Sequence, residues 1–104
     1  MNPMQSQSSG PAIILQLARQ HLTACELRVT HTRVLVLTLL STSLRPVAVE
    51  EVFGQLLRTG HAIGRTTVYR TLVEFERAGV VRLEWISGRV GKRAIYSLRK
   101  RNHD

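Results

Sequence analysis

Residues 64–79 read GRTTVYRTLVEFERAG, and residues 80–85 continue as VVRLEW. Two periodicities meet at that junction. At about 100° per residue around a helix axis, Val68, Leu72 and Phe75 fall within one narrow arc. Thr66, Arg70, Val73 and Arg77 fall on the opposite side, and Tyr69 flanks them. One face is therefore built for a core, while the other presents polar and cationic groups. Gly79 supplies the helix stop. Beyond it the period drops to two: Val81, Leu83 and Trp85 alternate with Arg82 and Glu84, which predicts a strand. A second strand is expected over residues 94–98, after the loop SGRVGKR at residues 87–93. The pair makes a hairpin whose tip carries Arg89, Lys92 and Arg93.

Upstream, the apolar spacing is helical three more times. Ile14, Leu17, Ala18, His21, Leu22 and Cys25 form one stripe, with Pro11 suited to the first turn of that helix. Thr30 is placed to cap a second helix running from His31 to about Leu40. Its segment RVLVLTLL is apolar nearly all round, so it should be the most buried element. Residues 41–47 contain Pro46 and read as a loop. A third helix puts Val49, Val52, Phe53, Leu56 and Leu57 on one face and stops at Gly60. Glu50 and Glu51 in its first turn and Arg58 in its last complement the helix dipole.

Three helices, a fourth with a polar outer face, then a basic hairpin is the order of a winged helix. The expected class is α+β, mostly helical: a winged helix-turn-helix with a C-terminal two-stranded wing. Residues 1–10 are expected as a disordered tail, residues 11–99 as the winged-helix domain, and residues 100–104 as a basic tail. A fourth helix of about 22 Å, at ~1.5 Å per residue, fits the DNA major groove.

Composition narrows the function. The chain has 104 residues, enough for one small domain. Fifteen Lys and Arg oppose seven Asp and Glu for a formal charge of +8, and all of the cations but Lys92 and Lys100 are Arg. Such an excess repels itself unless a polyanion is the usual partner, and the Arg fork suits phosphates and base edges. A single cysteine, Cys25, excludes an internal disulfide and a multi-cysteine zinc site. No apolar run is long enough for a bilayer and no export signal opens the chain, so a cytoplasmic protein without a membrane partner is expected.

The outer face of the fourth helix is the leading candidate site. Arg70 can donate to a guanine edge or a phosphate, and Tyr69 can touch a thymine methyl. Arg65, Thr66, Thr67 and Arg77 can anchor the same helix to phosphates. The competing reading is an ordinary solvated face, which rarely needs an exposed tyrosine beside two threonines and an arginine. Arg89, Lys92 and Arg93 form a second cluster, for which a charged turn tip is the plainer alternative. The loop at residues 87–92 has the look of a phosphate loop, but its spacing is wrong and no Ser or Thr follows Lys92. His21 and Cys25 stand four apart, a zinc-compatible spacing, yet two ligands on an apolar stripe are core residues. Asp104 is the sole Asp, and Glu50 and Glu51 point in different directions from a helix. No catalytic constellation exists, so an enzyme is rejected, and no cofactor, bound metal or small-molecule substrate is expected.

From about Leu27 to Leu98 the chain resembles the N-terminal DNA-binding domain of the ferric uptake regulator family. The likeness rests on RVTHTR at residues 28–33, VEEVF at 49–53, IGRTTVYRTL at 63–72, AGVV at 78–81 and YSL at 96–98. It implies a cytoplasmic repressor of metal homeostasis whose fourth helix reads the major groove, with the tyrosine and arginine of TVYR among its contacts. Those residues fall on Tyr69 and Arg70. Arg33 is likewise implied as a DNA-backbone contact. The family's regulatory metal site takes a histidine before the third helix, where Pro46 stands, and a glutamate after the wing tyrosine, where Ser97 stands. Its His-rich segment is reduced to Asn102, His103 and Asp104, and the chain ends where a hinge to a second, dimerising domain is expected. A family-type metal sensor is therefore expected to be missing.

The reading is a sequence-specific regulator that binds double-stranded DNA, as a homodimer or with a heteromeric partner, self-association falling to the first helix. The alternative is a winged-helix interaction module that docks on another regulator through Val73 and that same helix. Retention of Tyr69 and Arg70 with a +8 charge favours DNA.

Overall fold

The computed structural model describes residues 3–99. The elements run α1 (Pro3–Ala24), α2 (His31–Thr42), α3 (Val49–Arg58), α4 (Arg65–Arg77), β1 (Val81–Gly88) and β2 (Gly91–Leu98). This is the winged-helix order. Local chemistry explains most boundaries. Thr30 is extended, and its hydroxyl accepts a hydrogen bond from Arg33 N at 3.2 Å, capping α2. Glu51 reaches back from the first turn of α3, its carboxylate accepting from Ala48 N at 3.0 Å. Gly60 and Gly79 lie at φ +89° and +78°, where a Cβ would be strained, and end α3 and α4.

The core is one cluster. Leu22 of α1, Val36 and Leu37 of α2, Val52 of α3, and Val68, Leu72 and Phe75 of α4 meet Val80, Val81 and Tyr96. Phe75 is fully buried at the centre. The expected arc of α4 is therefore the one that packs. α2, read as the most buried helix, contributes Val34, Val36, Leu37 and Leu40.

Two expectations are corrected. α1 begins at Pro3, so residues 3–10, read as a disordered tail, are helical, and Pro11 lies inside the helix instead of in its first turn. Once a helix is nucleated each further residue adds one hydrogen bond, and Met4, Gln5 and Gln7 are good formers. Met1, Asn2 and the basic tail at residues 100–104 lie outside the described residues.

The hairpin is also longer than the alternation predicts. β1 and β2 pair antiparallel from Val81↔Leu98 to Gly88↔Gly91, leaving only Arg89 and Val90 in the turn. Gly91, at φ +110°, permits that tight connection. Lys92 and Arg93 consequently sit in β2, opposite Ser87 and Ile86, and Arg89 alone remains at the tip. On the far side of β2, Val47 forms an isolated bridge with Tyr96. Among the described residues no helix is long and apolar enough to cross a membrane.

Candidate nucleic-acid interface

α4 leaves the core with its outer face uncovered. Thr66, Thr67, Tyr69, Arg70 and Arg77 are all exposed. Tyr69 keeps 52% of its surface in solvent although it is a large aromatic side chain. The helix opens at Gly64, which offers no side-chain cap, and carries no acid in its first turn. Its first N–H groups therefore lack intrahelical partners and face outward with the positive end of the dipole. Thr71 is buried and donates its hydroxyl to the Thr67 carbonyl at 2.8 Å, which satisfies it within the helix. Val73, read as an exposed docking residue, is half-buried.

The two flanks of α4 are held differently. On one side Tyr96 is buried against the helix. Burial pushes its phenol above the ordinary tyrosine range, and the neighbouring Tyr69 and Glu76 add to the shift. On the other side Arg33 clasps α4 to α2. It donates to Glu74 Oε1 at 3.0 Å and to the Arg28 carbonyl at 2.9 Å, with a side chain only 20% exposed.

The cations chosen from sequence divide into two groups. Arg33 is tied to Glu74. Arg65 donates Nε to Glu50 at 2.9 Å and lies 5.0 Å over the Phe53 ring. Arg93 stands 3.6 Å from Glu51, which also accepts from Arg45 at 2.7 Å. Arg70, Arg77, Arg89 and Lys92 have no acidic partner among the described residues. Those four are the ones available to an external anion without breaking an internal pair.

The structure also adds residues that sequence reasoning passed over as site members. A depression of about 280 Å³ between the start of α2 and α4 is lined by Arg28, Thr30, Thr32, Arg33, Thr67 and Arg70. The signal was the alternation Arg28-x-Thr30-x-Thr32 preceding Arg33, visible in the chain but meaningless until α4 is packed beside it. Elsewhere, His21 and Cys25 are half-buried along α1, and no group of three or more potential metal ligands occurs among the described residues.

Three helices, a fourth helix with an uncovered outer face and a two-stranded wing define a winged-helix protein. The ferric uptake regulator family model matches residues 24–104, and the chain belongs to that family. Over 78 residues it is 37% identical to the ferric uptake regulation protein of Neisseria meningitidis, covering 74% of this chain and 52% of that one. Over 56 residues it is 43% identical to the Pseudomonas aeruginosa protein of the same name, covering 53% of this chain and 42% of that one. The chain thus spans about half the length of these relatives. The Vibrio cholerae ferric uptake regulator, a protein with DNA-binding domains, superposes with a TM-score of 0.73 at 31% identity. That match covers 82% of this chain and 63% of the other. The manganese-containing Pseudomonas aeruginosa regulator gives 0.70 at 32% identity, over 78% of this chain and 59% of that one.

Proposed function

We propose that this chain is a transcription regulator that binds double-stranded DNA sequence-specifically, with α4 in the major groove and the hairpin on adjacent phosphates. One observation carries the reading. Tyr69 and Arg70 project side by side from the uncovered face of α4, and Arg70 has no acidic partner among the described residues. Thr66 and Thr67 anchor the helix start, Arg77 its end, and Arg89 and Lys92 hold the wing to phosphate. Arg33, Arg65 and Arg93 join only by exchanging a carboxylate for a phosphate, so they act as a reserve that tightens a complex already formed.

The residues where the family resemblance expects metal ligands do not suit a divalent cation. Pro46 offers no side-chain donor, and Ser97 offers an unactivated hydroxyl. We read the chain as a DNA binder that does not need a metal at that position. A second reading, docking on another regulator, is supported by Ile13 and Leu17, which stand 55% and 57% exposed on α1.

Selection from pooled genomic duplexes at two salt concentrations, with chelator present, tests the proposal. Enrichment of one motif in chelator is the expected result. Motif-free binding that vanishes at the higher salt overturns sequence-specific reading and favours the docking alternative. Elemental analysis of the purified chain after metal titration is expected to find no tightly held Fe, Zn or Mn. One such ion per chain overturns the metal-independent reading.

A further inference from the structure

β1 leaves one edge without a strand beside it, since the sheet has only the order β1-β2. The bridge on the far side of β2 fixes which backbone groups face that edge. Tyr96 N donates to the Val47 carbonyl at 2.7 Å, and Val47 N donates to the Tyr96 carbonyl at 2.9 Å. Both main-chain groups of Tyr96 therefore point away from β1. Leu83 lies directly opposite Tyr96. That pair is consequently a non-hydrogen-bonded one, and Leu83 turns its own N–H and C=O outward. Alternation gives the same orientation to Val81 and Trp85. Among the described residues no backbone group meets them there.

Such an edge is usually blunted by proline, lysine or a bulge. This one has none of these over Val81–Gly88, and it exposes Trp85 at 63% and Ile86 at 42%. Its only charges are Arg82 and Glu84, opposite in sign and on one face. Within the chain they pair with each other at 3.3 Å, with side chains 60% and 50% exposed.

We propose that this edge is a self-association surface whose occupant is a second copy of the same chain. The two β1 strands run antiparallel about a two-fold axis through Leu83. In that register the outward groups of Val81, Leu83 and Trp85 meet those of Trp85, Leu83 and Val81 in the second copy, and each facing pair exchanges both hydrogen bonds. Arg82 then faces Glu84 of the other copy and Glu84 faces its Arg82. Both fall in the closely spaced pairs where side chains approach most nearly. The interface is isologous, each residue meeting its complement twice. Moving the axis to Glu84 keeps outward groups facing outward groups, but it sets Glu84 against Glu84 and Arg82 against Ile86, which opposes like charges and discards both ion pairs. Moving it to Trp85 sets Arg82 against Gly88 and Glu84 against Ile86, which discards both ion pairs. Backbone direction permits all of these registers, and charge selects the one centred on Leu83. The exposed face of α1 has no feature that selects an occupant in this way. The inference does not depend on DNA binding.

The test is the solution mass of the full chain without DNA, by sedimentation equilibrium across a concentration series. The wild type is expected to reach twice its 11.7 kDa. Arg82→Glu sets acid against acid at both pairs and should weaken association by about tenfold or more. Glu84→Arg sets cation against cation and should do the same. Either the double variant R82E/E84R or an equal mixture of the two single variants should restore the dimer, because opposite charges face each other again. Circular dichroism confirms that the exposed substitutions leave the fold intact. A wild type that stays monomeric at every soluble concentration overturns the proposal. So do single variants that associate like the wild type, or a double variant that stays monomeric.

Discussion

Arg70 is the residue on which the proposed DNA reading turns. Removing it as Arg70→Ala is expected to cost about 1–3 kcal/mol of binding and to relax specificity at one base position. Lys92→Ala should instead weaken all duplexes alike, because a phosphate contact carries no sequence information. Anisotropy titrations of each variant against the selected duplex and a scrambled one separate these outcomes. If neither substitution changes affinity, the docking face is misplaced. Phe75 belongs to the opposite side of the same helix. Phe75→Ala is expected to lower unfolding stability by about 3–5 kcal/mol in a urea titration, since the side chain is fully buried. Tyr69, Arg70 and Phe75 were all assignable from helical period alone. What Arg33 does was not: its partner Glu74 lies 41 positions away, and no local pattern encodes that ion pair.

At the scale of elements, caps and carboxylates set the boundaries. Thr30→Ala removes the acceptor for Arg33 N and is expected to destabilise the fold by about 1 kcal/mol, measured as a shift in the urea midpoint at constant slope. Glu51 contributes through pH. Its carboxyl is held below the ordinary carboxylate range, first by the hydrogen bond from Ala48 N and then by Arg45, against an opposing desolvation. A depressed folded-state value means that this contribution is fully present above the unfolded value of 4.5 and is lost as pH falls through the folded one. Wild-type stability should therefore decline on acidification below that point, and Glu51→Gln should flatten part of the decline. An unchanged acid limb in the variant removes Glu51 from the account. The hairpin shows where element reading fell short. Alternation located β1, but the cations of residues 92–93 looked like loop, and only the pairing with residues 86–87 shows them to be strand.

For the whole molecule, charge is the governing quantity. Arg28, Arg70, Arg77, Arg89 and Lys92 have no acidic side-chain partner among the described residues. Neutralising five phosphates predicts a slope of about −4 to −5 in log K against log salt. Counting every candidate cation, paired or not, would give a steeper slope, and affinity measured over a salt series decides between them: a slope near zero would exclude a phosphate-anchored complex altogether. The order of helices, the stop glycines, the buried arc of α4 and its outer face followed from the chain alone, because periodicity and backbone preference are local properties. Tertiary structure alone decided which arginines are already paired, which threonines line the notch beside α4, and which edge of β1 stays open. Each of those depends on groups far apart in sequence being brought within hydrogen-bonding distance, and packing settles that where spacing along the chain does not.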